Sequence, residues 1–175
     1  MTYNHTLQTP VLIAATVATG LSAGLFYGYA CSVMPGLGRA DDRTFVDAMQ
    51  RINVAILNGW FALIFGGALL LSVLAAVVHL RGAGRSALPL IVAAVTLYLV
   101  MLVITFRVNV PLNDALADAG HPDRIADLDL AAVRERFEER WVRWNVVRAI
   151  TSTAAFGLLV WALVVSVRGG TRGAG

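Results

Sequence analysis

The chain has 175 residues, of which 58% are hydrophobic and only 14% charged, well below the roughly one quarter usual in a soluble domain. Its 14 basic residues are all Arg and face 11 acids, a net charge of +3. This excludes a soluble α/β enzyme, a secreted disulfide scaffold and a nucleic-acid binder. Without Lys there is no Schiff-base lysine and no GxxxxGK[ST] phosphate loop; Cys31 has no disulfide partner, and no Cys/His cluster has metal-ligand spacing, so neither metal nor cofactor is expected.

The charges are clumped. None falls in 1–38, 52–80, 86–106 or 149–167. A helix needs about 20 mostly apolar residues to cross the hydrocarbon core, so four such runs predict four spans. The expected fold is all-α, a transmembrane four-helix bundle in one membrane domain over 1–175, with two helices extending beyond the membrane. The opening MTYNHTLQTP has no basic residue, unlike a signal peptide, so the first span is expected to be retained.

The first span is predicted over about 12–36, with Pro35-Gly36 ending it. Thr16, Gly20, Gly24, Tyr27, Cys31 and Met34 read as one stripe, its glycines forming a small-xxx-small packing seam. After a polar connection in which Asp41 or Asp42 caps the next helix, the second span is predicted as one unbroken helix over about 43–80. Met49, Asn53, Trp60 and Gly67 share one of its faces. The third span is predicted over about 87–108, where Pro111 ends it, because Pro biases the preceding residue toward an extended conformation. A polar connection over 109–130 leads into the fourth span, about 131–168, which begins as an amphipathic helix in water; 169–175 reads as a disordered tail. Both termini and the 80–87 loop share one side, which carries Arg81, Arg85, Arg168 and Arg172 and no acid. Uncompensated Arg in short loops places that side in the cytoplasm, giving a multi-pass protein of the cell membrane.

The richest segment chemically is the start of the fourth span. At 100° per residue, Arg134, Glu138, Trp141, Asn145, Arg148 and Ser152 fit an arc of about 80°. Lipid cannot satisfy such a face, so it looks into protein or a wet cavity. Arg134 reaches Glu138 at i,i+4. Glu138 and Arg148 are ten residues apart, roughly 15 Å along the axis, so Arg148 needs a partner on another helix, a water or a ligand. Arg107, Asn109 and Asn113 are presented at the same rim, where Tyr27, Tyr29, Met34 and Asn53 also arrive. Convergence of all four spans predicts a pocket between helices at one membrane face.

The strings FYGYACSVMPGL, AMQRINVAILN, VNVPLN and FEERWVRWNVVRA, in this order and separated by hydrophobic spans, resemble the anthrone oxygenase-like family of small four-span membrane proteins. The resemblance covers roughly 11–165 and rests chiefly on VNVPLN and on W-x-x-W-N-x-x-R (Trp141, Trp144, Asn145, Arg148). It implies oxidation of an anthrone-like aromatic substrate, a role known for a few members of a mostly uncharacterised family.

Two functions follow as expectations. One is an oxygenase or oxidase working without metal or flavin on a flat phenolic substrate. Glu138 would be its general base, Asn145 and Arg148 would stabilise a substrate oxyanion, and Tyr27, Met34, Asn53, Asn109, Asn113, Trp141 and Trp144 would line the substrate pocket. The other is a non-enzymatic membrane module that binds a lipid, a quinone-like molecule or a partner protein. The lipid bilayer is the expected partner in either case, an aromatic small molecule in the first, and a homo-oligomer is compatible with both.

Overall fold

The computed structural model describes residues 3–81, 83–124 and 126–172. Among the described residues seven α-helices follow in chain order: α1 (Tyr3–Gly28), α2 (Met34–Leu37), α3 (Asp42–Ala55), α4 (Gly59–Val78), α5 (Leu88–Ile104), α6 (Val110–Asp118) and α7 (Asp127–Arg172). No strand occurs among the described residues. Four continuous helical stretches are long and apolar enough to cross a membrane: Leu7–Leu37, Gly59–Val78, Gly84–Asp118 and Asp129–Arg168. They close into a ring in which α1 packs on α4 and α7, and α5 packs on α7 and α4. The protein is thus an all-α, multi-pass four-helix membrane bundle.

Two cores hold it. Between the spans lie Leu12, Ala15, Phe65, Ala68, Ala75, Ala94, Tyr98, Ala155, Leu159 and Ala162. Lipid tails are as apolar as these side chains, so the bundle associates by close packing, which small residues permit. A β-carbon at Gly20 would sit 2.8 Å from the Phe156 ring, so this glycine does set the α1–α7 approach, whereas Gly24 faces open space. The Tyr98 hydroxyl donates to the Phe65 carbonyl (2.9 Å) and exchanges a hydrogen bond with Ser22 Oγ (3.1 Å), tying α5 to α4 and α1. Toward one end of the bundle, Met34, Phe45, Val46, Met49, Leu116, Leu130, Phe137 and Trp141 form a second core among α2, α3, α6 and α7.

The elements differ from the sequence expectation at four places. The second helix is not continuous: Asn58 leaves helical geometry, and its side chain accepts a hydrogen bond from the Phe61 N–H, capping α4. A residue that serves so well as an N-cap ends the preceding helix. Pro111 does not end the third helix. A π-helical turn, Thr105–Asn109, precedes it; Val110 N–H bonds to Thr105 O, five residues back, and Pro111 then falls in the first turn of α6, where its missing N–H costs nothing. The 109–130 connection therefore contains the nine-residue α6 and a 3₁₀ turn at Pro122–Arg124, with a bend at Gly120, whose φ of 92° is a left-handed value natural to glycine. The same device recurs in the first span: a π-helical turn at Tyr29–Val33 precedes Pro35, and the helix runs on to Leu37. The tail, finally, is helical to Arg172. Residues 173–175 lie outside the described residues.

Of the two predicted extensions, α7 is unbroken: its 46 residues span roughly 69 Å at 1.5 Å per residue, more than twice the hydrocarbon thickness. The other extension is α3, a separate helix divided from α4 by the break at Ile56–Asn58 and started by Asp41, whose carboxylate accepts from Thr44 N–H (2.9 Å).

Candidate active site

A cavity of about 220 Å³ sits where the two cores meet. Each wall is one helical face. Gln50, Asn53, Val54 and Leu57 come from α3 and the break that follows it; Val110, Asn113, Asp114 and Ala117 come from α6. Both sets follow i, i+3, i+4, i+7 spacing, which puts their side chains on one side of a helix. Phe26 and Tyr29 of the first span and Trp141, Asn145 and Arg148 of α7 form the floor. Val54 and Leu57 are more than two-thirds exposed and make an apolar lip.

Arg148 is the most unusual group in this cavity. It is 5% exposed, its guanidinium lies 4.6 Å from the Phe26 ring and 5.2 Å from the Trp141 ring, and it donates to Asn145 Oδ1 at 3.0 Å. Asn145 in turn donates to the Phe26 carbonyl (3.2 Å), which fixes the direction of its oxygen. Arg148 makes no ion pair with any described residue. Cation–π contact supplies about 2 kcal/mol or a little more when desolvated. Burying an ion costs several, so the aromatic faces alone do not compensate.

Three buried polar atoms without a protein partner converge here: Asn53 Nδ2, Asn109 Oδ1 and Arg148 Nε. The large majority of buried polar groups are satisfied, so the meeting of three unsatisfied ones in one cavity sets it apart. A larger and more open groove of about 700 Å³ lies between α6 and α7 outside the membrane, with Asp118, Arg124, Asp129 and Arg136 at its edges. No unpartnered buried polar atom among the described residues lines that groove.

Of the residues singled out in the sequence, Asn53, Asn109, Asn113, Trp141, Asn145 and Arg148 come together in the cavity. Trp141 is fixed by a hydrogen bond from its Nε1 to Asn113 Oδ1 (2.8 Å), and Asn109 donates weakly to the Trp141 carbonyl (3.4 Å). Four do not reach it. Tyr27 is 61% exposed on the outer face of α1, and Trp144 is half-buried away from the cavity. Met34 is buried in the outer core. Glu138 is bound to Arg134 Nε at 2.6 Å, in a cluster where Arg134 also donates to Asp42 and to the Gly38 and Ala40 carbonyls. Trp60, expected on the same face as Asn53, is 78% exposed, because the break before α4 uncouples the two helices.

The Tyr27 error has a simple cause. Counting in fours (16, 20, 24) turns the helix 40° past a full circle at each step. The buried stripe instead alternates threes and fours through Leu12, Ala15, Thr16, Thr19, Ser22, Ala23 and Phe26. It delivers Tyr29, not Tyr27, to the cavity, with its ring 5.8 Å from that of Trp141. Gln50, Thr105 and Asp114 are the polar lining residues that sequence reasoning missed; Tyr29 is expected at this rim but not as a lining residue.

A membrane four-helix bundle with an aromatic-walled, cation-floored cavity at one face is the class that fold and site define. Residues 59–158 match the family model for anthrone oxygenase, 100 of the 175 residues, and the chain belongs to that family. The matched segment holds α4, α5, α6 and the cavity-lining part of α7, but neither α1 nor α3. No curated protein and no solved structure matches the chain.

Proposed function

We propose that the protein is an oxidoreductase that binds a flat phenolic or anthrone-like substrate as its oxyanion and lets it react directly with dioxygen, with neither metal nor flavin. The observation that carries this reading is Arg148: a buried cation paired with no acid among the described residues, backed by aromatic faces and lining a cavity with unpartnered amide groups. An anion between Arg148 and Asn53 would complete the electrostatics, and flat aromatic walls from Phe26, Tyr29, Phe61 and Trp141 suit a planar ring system. Family membership agrees with this substrate class.

The chemistry needs little more than anion stabilisation. An anthrone that loses a methylene proton becomes an electron-rich enolate, and donors prearranged where the negative charge develops lower the barrier to forming it. Dioxygen is the oxidant. The methylene carbon gains one oxygen atom as a carbonyl, and the other oxygen leaves as water with the two methylene hydrogens. With the termini and the 80–87 loop on the cytoplasmic side, the orientation that uncompensated Arg in short loops favours, the cavity would open at the opposite face.

The test is aerobic incubation of the purified, metal-stripped protein with a model anthrone, following quinone absorbance and oxygen uptake. Quinone formation above the uncatalysed rate, with one dioxygen consumed per quinone, supports the proposal. Tight binding of the aromatic with no turnover would make the protein a binding module instead.

A further inference from the structure

We propose that Asp114 is the general base of this site, removing the methylene proton of the substrate. The inference rests on the oxidoreductase reading above and deepens it by naming the group that starts the reaction. Oxidation requires a proton to leave carbon, and Glu138, the carboxylate that sequence spacing offers, is held by Arg134 outside the cavity. The titratable side chains that line the cavity are Tyr29, Asp114 and Arg148. A phenol is ordinarily protonated at neutral pH, and a guanidinium has no lone pair to accept a proton. A carboxylate meets the requirement.

Its placement fits the substrate. Asp114 lies on the cavity face of α6 with Val110, Asn113 and Ala117, toward the mouth, and it is exposed enough to pass a proton to water. Neither an ion pair nor a side-chain hydrogen bond from another described residue engages it. Arg148 and Asn145 hold the floor, on a different helix. In an anthrone the carbonyl and the methylene sit at opposite ends of the central ring. A planar substrate with its oxygen on Arg148 therefore turns its methylene away from α7, toward the wall that carries Asp114.

The steps balance. Asp114 takes the first methylene hydrogen; the C–H bond breaks, and its electron pair moves through the ring onto the oxygen held by Arg148. Dioxygen accepts that pair at the former methylene carbon, forming a C–O bond, and Asp114 returns its proton to the resulting peroxide. Asp114 then removes the second hydrogen as the O–O bond breaks. The second carbonyl forms, and the departing hydroxide takes the proton as water.

The experiment compares the full-length wild-type protein with Asp114→Asn and Asp114→Glu, measuring anthrone turnover and, separately, affinity for a hydroxyanthraquinone product. Asp114→Asn is expected to lower kcat by about 10²- to 10⁴-fold, the range for loss of a general base, with product affinity unchanged. Asp114→Glu keeps a carboxylate and recovers a large part of the rate. Wild-type turnover with an equally fast Asp114→Asn overturns the assignment and leaves the oxidoreductase reading intact. A parallel loss of rate and product affinity overturns it as well, since Asp114 would then serve binding. A wild-type protein with no turnover overturns both.

Discussion

Arg148 donates a 3.0 Å hydrogen bond to Asn145, one turn earlier on α7, where a carboxylate would be the ordinary partner of a buried guanidinium. The amide orients the cation without neutralising it, so the charge stays available to a ligand. Asn145→Asp should cancel it from within. With an internal ion pair in place, affinity for an anionic aromatic is expected to fall about 10- to 100-fold, the range for losing a hydrogen bond to a charged group. Titration with a hydroxyanthraquinone measures this; undiminished affinity would mean that Arg148 does not face the ligand.

Glu138 belongs to a different structure. Together with Asp42 and two carbonyls it fixes Arg134, which stacks 4.6 Å from the Phe45 ring and ties the segment between α2 and α3 to α7. The Arg134 side chain is 14% exposed and that of Glu138 28%, between the surface and buried regimes. Glu138→Gln should cost about 1–2 kcal/mol of stability and leave turnover per folded molecule unchanged. Melting in detergent alongside activity checks both halves.

Tyr98 joins three spans through one hydroxyl. Tyr98→Phe keeps the packing and removes both hydrogen bonds, stranding the buried Ser22 hydroxyl. Interhelical hydrogen bonds in membranes average about 0.6 kcal/mol and reach about 1.7, so a loss in that range is expected in unfolding titrations from mixed micelles. A neutral or stabilised variant would show that the bundle is held by shape alone.

Acid sensitivity should begin outside the membrane. Hydrogen bonds from the Thr44 N–H and hydroxyl lower the pKa of Asp41, and a hydrogen bond from Arg51 lowers that of Asp47. Carboxylates whose pKa is lowered on folding stabilise the fold above their unfolded value, about 3.9. That contribution fades as pH falls through the lower folded value. Melting temperature should therefore drop below about pH 4. Asp41→Asn, which still caps α3 but does not titrate, should shrink that drop while changing little at pH 7. Identical acid profiles in the two proteins would remove Asp41 from the account.

The spans were readable from the sequence because lipid imposes a single strong rule, and charge-free runs of about 20 residues obey it. The polar half of the site was readable for the converse reason. Asn109, Asn113, Trp141, Asn145 and Arg148 are groups that lipid cannot satisfy, so they had to turn inward. What escaped was rotation and local breakage. A stripe counted in fours turns Tyr27 inward where the helix presents Tyr29; Asn58, inside the predicted second span, caps α4 and breaks the helix; and two π-helical turns absorb prolines that ordinarily stop a helix. Glu138 stays outside the cavity because its i,i+4 contact with Arg134 is one part of a cluster that Asp42 and the Gly38 and Ala40 carbonyls complete, and sequence spacing does not show those partners. Asp114 went unnoticed because an exposed acid next to Asn113 looks like surface until α6 is known to be a helix.

The central claim is that Arg148 binds an oxyanion, and the most direct test is the absorption spectrum of a bound hydroxyanthraquinone. Ionisation shifts its visible band to longer wavelength, so the spectrum reports which form the site selects. At a pH where the free ligand is neutral, wild-type protein should bind it with the spectrum of the anion. Arg148→Ala should abolish that shift while remaining folded, and Arg148→Lys should restore little of it, because an ammonium lacks the planar donor fork of guanidinium. A neutral-ligand spectrum in the wild-type complex, or an anion spectrum that survives in Arg148→Ala, would contradict the account.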